Sequence, residues 1–88
     1  MRRNRNETEL IAAVLACCEK PQRISAVSRG ANMPHSRLAP MLEHLAGRGL
    51  IMKEEHSDPT YMTTELGRKF LVEYKRFLDL CGAYAIKP

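Results

Sequence analysis

The chain is interrupted at four places where no regular element can run through: Lys20-Pro21, Asn32-Met33-Pro34, Gly47-Arg48-Gly49 and Ser57-Asp58-Pro59. Proline removes a backbone donor and clashes with the preceding turn, and glycine takes the left-handed conformation that stops a helix. The pieces between these breaks are therefore short, and the period of their apolar residues decides what each becomes. That period is helical in the first three pieces, alternating in the fourth and helical again in the last. With 88 residues there is room for one core, and a thin one.

The first piece opens with Asn6-x-x-Glu9, the spacing of a capping box. Leu10, Ile11, Val14, Leu15 and Cys18 follow at helical spacing, and Pro21 bounds the far end. The second helix is expected from about Arg23 to Ala31, with Ile24, Val27 and Ala31 on one face. The third runs from about His35 to Ala46 and buries Leu38, Met41, Leu42 and Leu45, with Gly47 or Gly49 as its left-handed stop. Leu50 to Lys53 reads as a strand and Thr60 to Thr63 as its partner, joined by a polar loop. Thr64 caps a last helix that reaches about Cys81, where Gly82 loosens or ends it. The fold class is mainly α with a small β-hairpin (α+β).

Two short helices joined by a tight turn, the second followed by a hairpin, make a winged helix-turn-helix with a long C-terminal helix, a unit that sets its second helix into the DNA major groove. Three motifs carry a resemblance. Ala31-Asn32-Met33-Pro34-His35-Ser36-Arg37-Leu38 resembles the turn and start of a recognition helix. Leu42-x-x-Leu45-x-x-x-Gly49-Leu50-Ile51 resembles the exit from that helix in winged-helix regulators. Tyr61-x-x-Thr64-x-x-Gly67-Arg68-x-Phe70-Leu71 resembles the way into their last helix. Together they cover about Glu7 to Leu80, and the chain is similar to small archaeal winged-helix regulators and chromatin-associated proteins with a C-terminal dimerisation helix. The resemblance implies a dimeric DNA-binding protein. Two residues depart from that pattern: Pro34 stands where a small polar cap is usual, and Pro40 falls inside the recognition helix.

Charge agrees with a phosphate-bearing partner. Fourteen Lys and Arg against ten Asp and Glu leave +4. From Lys20 to Leu42 there are four basic residues, Lys20, Arg23, Arg29 and Arg37, and no acid, which fits a face that meets phosphates. Arg37 can pair bidentately with guanine, His35 and Ser36 can bond bases or phosphates, and Ala39 suits a thymine methyl. Ser25 at the start of the second helix can hold a phosphate, with Arg23 and Arg29 flanking it as positioning contacts. Arg2, Arg3 and Arg5 form a basic arm able to reach a minor groove or the backbone. The hairpin loop sets Lys53 against Glu54, Glu55 and Asp58, so only Lys53 is expected to help there and the wing tip is expected to stay off DNA.

The last helix carries Phe70, Tyr74, Phe77, Cys81 and Tyr84 at alternating steps of four and three, with Leu71 and Leu78 beside them, which is a heptad seam. Part of it is expected on the chain's own core and the rest against a second copy. The domain plan is thus a basic arm over residues 1–6, the winged helix over 7–63, a dimerisation helix over 64–82 and a tail over 83–88.

Other classes find little support. No apolar run reaches the length of a membrane helix. The basic residues before Leu10–Cys18 resemble a signal peptide, but Glu7 and Glu9 intervene and the run is short, so it is read as a helix. Cys17, Cys18 and Cys81 form no framework, which fits a reducing compartment. His35, His44 and His56 make no metal set, His35 and His44 pointing to opposite sides of one helix. No catalytic site, metal or cofactor is expected. The reading is sequence-specific double-stranded DNA binding by a dimeric transcriptional regulator of a prokaryotic cytoplasm, associated with the nucleoid, with residues 35–46 as recognition helix. Its alternatives are a protein-interaction module of the same fold and an architectural chromatin protein without sequence preference.

Overall fold

The computed structural model describes residues 6–88. The order is α1 (Glu7–Cys17), β1 (Gln22–Arg23), α2 (Ile24–Ala31), α3 (His35–Gly47), β2 (Ile51–Glu54), β3 (Thr60–Thr63) and α4 (Glu65–Ala83). The expected capping box forms, with the Asn6 side-chain oxygen accepting from the Glu9 amide at 2.8 Å. The hairpin gains a third strand that periodicity did not reveal. β1 pairs antiparallel with β3, Gln22 opposite Tyr61 and Arg23 opposite Thr60, so the sheet order is β1-β3-β2. Two residues carry no period, and the second helix accordingly begins at Ile24, not Arg23.

The core is the one the spacing implied: Leu10, Val14, Leu15, Cys18, Val27, Ala31, Leu38, Met41, Leu42 and Leu45, closed by Met33, Ile51 and Tyr61. Thr63 is its one buried polar side chain among the described residues. Its hydroxyl donates to the Leu15 carbonyl at 2.7 Å and its amide donates to the Cys18 carbonyl at 2.7 Å. The Cys18 carbonyl lies just past α1 and the Leu15 carbonyl also takes the Cys18 amide at 3.3 Å, so these bonds complete the end of α1 and dock the sheet on that helix. Thr64 then caps α4, accepting from the Gly67 amide at 3.2 Å while its hydroxyl donates to the Gly49 carbonyl.

Three helices end in one device. Asn32 (φ 54°), Gly49 (φ 77°) and Ala85 (φ 54°) are left-handed. The next amide in each case, of Met33, Leu50 and Ile86, donates back to the carbonyl of Ser28, Leu45 and Cys81. This is the Schellman motif, which satisfies carbonyls at a helix end. Gly49 is thus the stop of α3, while Gly82 lies inside α4 and Ala85 does the work expected of it.

Candidate nucleic-acid interface

The turn between α2 and α3 is built by Asn32, by Met33 buried beneath it, and by Pro34, whose extended backbone starts α3. Ser28 steadies it by donating its hydroxyl to the Met33 carbonyl. Neither α2 nor α3 has a side-chain cap, because Arg23 and Pro34 hold the cap positions. The opening amides of both helices therefore have no side-chain acceptor at the cap, which is the arrangement that receives anions. Ser25 is the second residue of α2 and is exposed, as are Arg23 and Arg29.

Along α3 the buried Leu38, Met41, Leu42 and Leu45 mark the inner side. At 100° per residue the opposite line is Ser36, Pro40, Glu43 and Gly47, all exposed. His35 and Ala39 flank it on one side and Arg37 and His44 on the other, also exposed. Arg37 and Arg29 make no ion pair with any described residue. The helix starts at His35, since the Pro34 carbonyl already accepts from Leu38 at 3.0 Å. Pro40 is therefore interior and withholds the bond that its position would give the Ser36 carbonyl.

Two of the expected phosphate contacts are occupied within the chain. Arg23 meets Asp58 of the wing loop at 3.1 Å. Lys53 on β2 meets Glu43 of α3 at 3.3 Å and Glu55 at 3.7 Å, with its ammonium 5.9 Å from the Tyr61 ring centroid. The hydrogen bond to Glu43, and then the charges of Tyr61, Glu43 and Glu55, hold the Lys53 ammonium above the ordinary lysine range. The acidic wing is thus an intramolecular partner of basic residues. Glu43 was not expected at the site, and Asp58 was expected only as one of the wing acids, not as the partner of Arg23. Glu43 lay within reach of a helical wheel drawn from Leu38, Leu42 and Leu45, whereas the approach of Asp58 to Arg23 depends on the β1–β3 pairing. Arg2, Arg3 and Arg5 lie outside the described residues.

The seam of α4 divides. Phe70 packs on the core and Tyr74 stacks on it at 6.3 Å. Cys81 is only 5% exposed within the single chain, while Phe77, Leu78 and Tyr84 stand in solvent together with Leu80 and Ile86. Burial, with Cys17 adjacent, pushes the Cys18 thiol pKa up to about 12, and burial also raises that of Cys17. An open cleft of about 450 Å³ lies by Ala16, Cys17, Lys20 and Arg68, with Glu19 and Gln22 completing its lining. Among the described residues no group of histidine, cysteine and carboxylate side chains could hold a metal. No helix among them is long and apolar enough to cross a membrane.

A family model for the winged helix-turn-helix matches residues 3–81. The chain belongs to this winged helix-turn-helix family. Its fold is similar to that of Sso10a-2, a DNA-binding protein from Sulfolobus solfataricus (TM-score 0.83, 22% identity, 92% of this chain and 86% of that one). It is also similar to a MarR-family transcriptional regulator from Rhodococcus sp. RHA1 (TM-score 0.71, 17% identity, 88% of this chain and 58% of that one). A looser likeness is to human N-acetylserotonin methyltransferase (TM-score 0.58, 24% identity), over 69% of this chain and 18% of the enzyme. No curated protein matches in sequence. As in any winged helix-turn-helix, α2 and α3 are the paired helices here and the β2–β3 hairpin is the wing.

Proposed function

We propose that this winged-helix chain is a homodimeric transcriptional regulator that binds double-stranded DNA sequence-specifically, with α3 in the major groove. The observation that carries the reading is Arg37. It stands exposed in the first turn of an α3 without a side-chain cap, flanked by His35, Ser36 and Ala39 and engaged by no carboxylate of the described chain. Arg29, Ser25 and the free amides opening α2 supply phosphate contacts beside it. The DNA-binding protein and the regulator of like fold support the assignment. Arg23 joins this set only as a secondary contact, because it must first leave Asp58, while Lys53 is held by Glu43 and Glu55. The exposed apolar end of α4 and its cap, Phe77, Leu78 and Tyr84, serve a two-fold dimer that presents two copies of α3 to half-sites about 34 Å apart or a multiple of that.

The test is a titration against random-sequence duplex at two salt concentrations, followed by selection of a preferred site. Binding that weakens steeply with salt, with a consensus emerging, is the expected result. Arg37→Ala should lower binding to the selected site by roughly ten- to a hundredfold and to random duplex far less. Equal losses on both would make Arg37 a phosphate contact. The pairing of Arg23 and Lys53 with acids favours one other reading, a module that binds protein, and absence of binding at low salt would select it.

A further inference from the structure

Glu43 occupies a place where a carboxylate needs a reason. It lies on the outermost line of α3, about 10 Å along the helix axis from Ser36, so it faces the same partner as the first turn. The other members of that line are short: Ser36, Pro40 and Gly47. Glu43 is the one long polar side chain on it. Among phosphates an acidic side chain is repelled, and in a major groove an acceptor-only group finds its partner on an exocyclic amine, that of cytosine above all. The structure also supplies what such a residue requires. Lys53 reaches Glu43 Oε1 at 3.3 Å, its side chain 28% exposed against 63% for Glu43. The Tyr61 ring and Glu55 fix the lysine in turn. The pair offsets the negative charge while Oε2 remains to accept from a base.

We infer that Glu43 is a specificity-determining residue, accepting a hydrogen bond from the N4 amine of a cytosine in the major groove, and that Lys53 is its positioning residue. The inference rests on the DNA-binding reading above. It assigns Lys53 a different task from a phosphate contact, since its ammonium is committed to orienting and neutralising the carboxylate.

Site selection on the wild type, Glu43→Gln, Glu43→Ala and Lys53→Met, each checked for an unchanged thermal melt, tests it. The wild type should select a site with one C·G pair that costs about tenfold or more in affinity when replaced. Glu43→Gln should move the preference at that one position towards A·T, because an amide both donates and accepts and so matches adenine. Lys53→Met should keep the consensus, weaken discrimination at that pair and leave the salt slope unchanged. A slope lower by about one would make Lys53 a phosphate contact and overturn its positioning role. An unaltered consensus in Glu43→Gln, or uniformly tighter binding by Glu43→Ala with the consensus intact, would overturn the role of Glu43. A wild type that selects nothing would instead defeat the regulator reading itself, which shows in the parent protein before any variant is compared.

Discussion

Gly67 shows how much a single residue can demand. A β-carbon there would stand 2.3 Å from the Leu50 carbonyl oxygen and 2.5 Å from the Thr63 methyl, so α4 approaches the sheet as closely as backbone allows. The motif Tyr61-x-x-Thr64-x-x-Gly67 is the record of that junction: a buried tyrosine, a capping threonine and a residue with no side chain. Gly67→Ala should therefore cost about 3 kcal/mol, since backbone must shift to admit the methyl; a urea midpoint within error of the parent would refute the close approach. Cys18 makes a second demand. Its raised pKa, about 12 against the ordinary 9.0, means that the unfolded chain loses its proton first as pH rises. Folded and unfolded states hold the proton equally below pH 9, so the thiol leaves stability unchanged there and lowers it between 9 and about 12. Urea midpoints measured across that range should fall less steeply for Cys18→Ala than for the parent. Buried Thr63 answers a different need, and nothing local in Thr-Tyr-Met-Thr marks the last threonine as the one that serves α1.

At the scale of elements, the sequence was legible wherever apolar period and breaker residues agreed. α1, α3 and β3 fall within a residue of their expected bounds because Asn6, Pro34 and Pro59 define their starts. What was hidden depended on contacts remote in the chain. β1 is two residues paired with β3, and the ion pairs of Arg23 with Asp58 and of Lys53 with Glu43 join segments that only tertiary packing brings together. The end of α4 was misplaced for another reason: glycine is the usual left-handed stop, yet here Ala85 takes that conformation and Gly82 remains helical. A Cβ in the left-handed region costs about 1–2 kcal/mol, which the two returning hydrogen bonds of the motif offset. α3 carries a similar burden in Pro40. Since the helix starts at His35, Pro40 lacks a bond that Ala would make to the Ser36 carbonyl. Pro40→Ala should stabilise the protein by about 1–3 kcal/mol, read as a higher urea midpoint. A midpoint at or below that of the parent would mean that proline is favoured there through the unfolded chain.

The molecule as a whole is longer than its size requires. Its extents are 47 × 33 × 19 Å and its radius of gyration is 13.7 Å, against about 12 Å for a compact chain of this length. α4 accounts for the excess: it lies against α1 and β3, and its second half carries Phe77, Leu78 and Leu80 in solvent, followed by Tyr84 at its cap and Ile86 in the tail. Scattered apolar residues on a surface need no explanation, but five within ten positions at one end of a small chain form a patch of the kind that partners cover. The second copy proposed as its partner would satisfy the charge pattern as well. The ion pairs of Lys75 with Asp79 and of Arg76 with Glu73 are local to the helix and leave no net sign that a partner of opposite charge would need. Replacing Phe77 by Glu puts a charge into the middle of this patch while touching none of the core, so it should produce a folded monomer by sedimentation with an unchanged circular dichroism spectrum. Two recognition helices held together bind as one unit, each raising the effective concentration of the other at its half-site. The monomer should accordingly lose about a hundredfold or more in affinity for a two-half-site duplex and little for a single half-site. Should Phe77→Glu sediment as the parent does, the apolar end of α4 is no dimer contact and belongs to another partner.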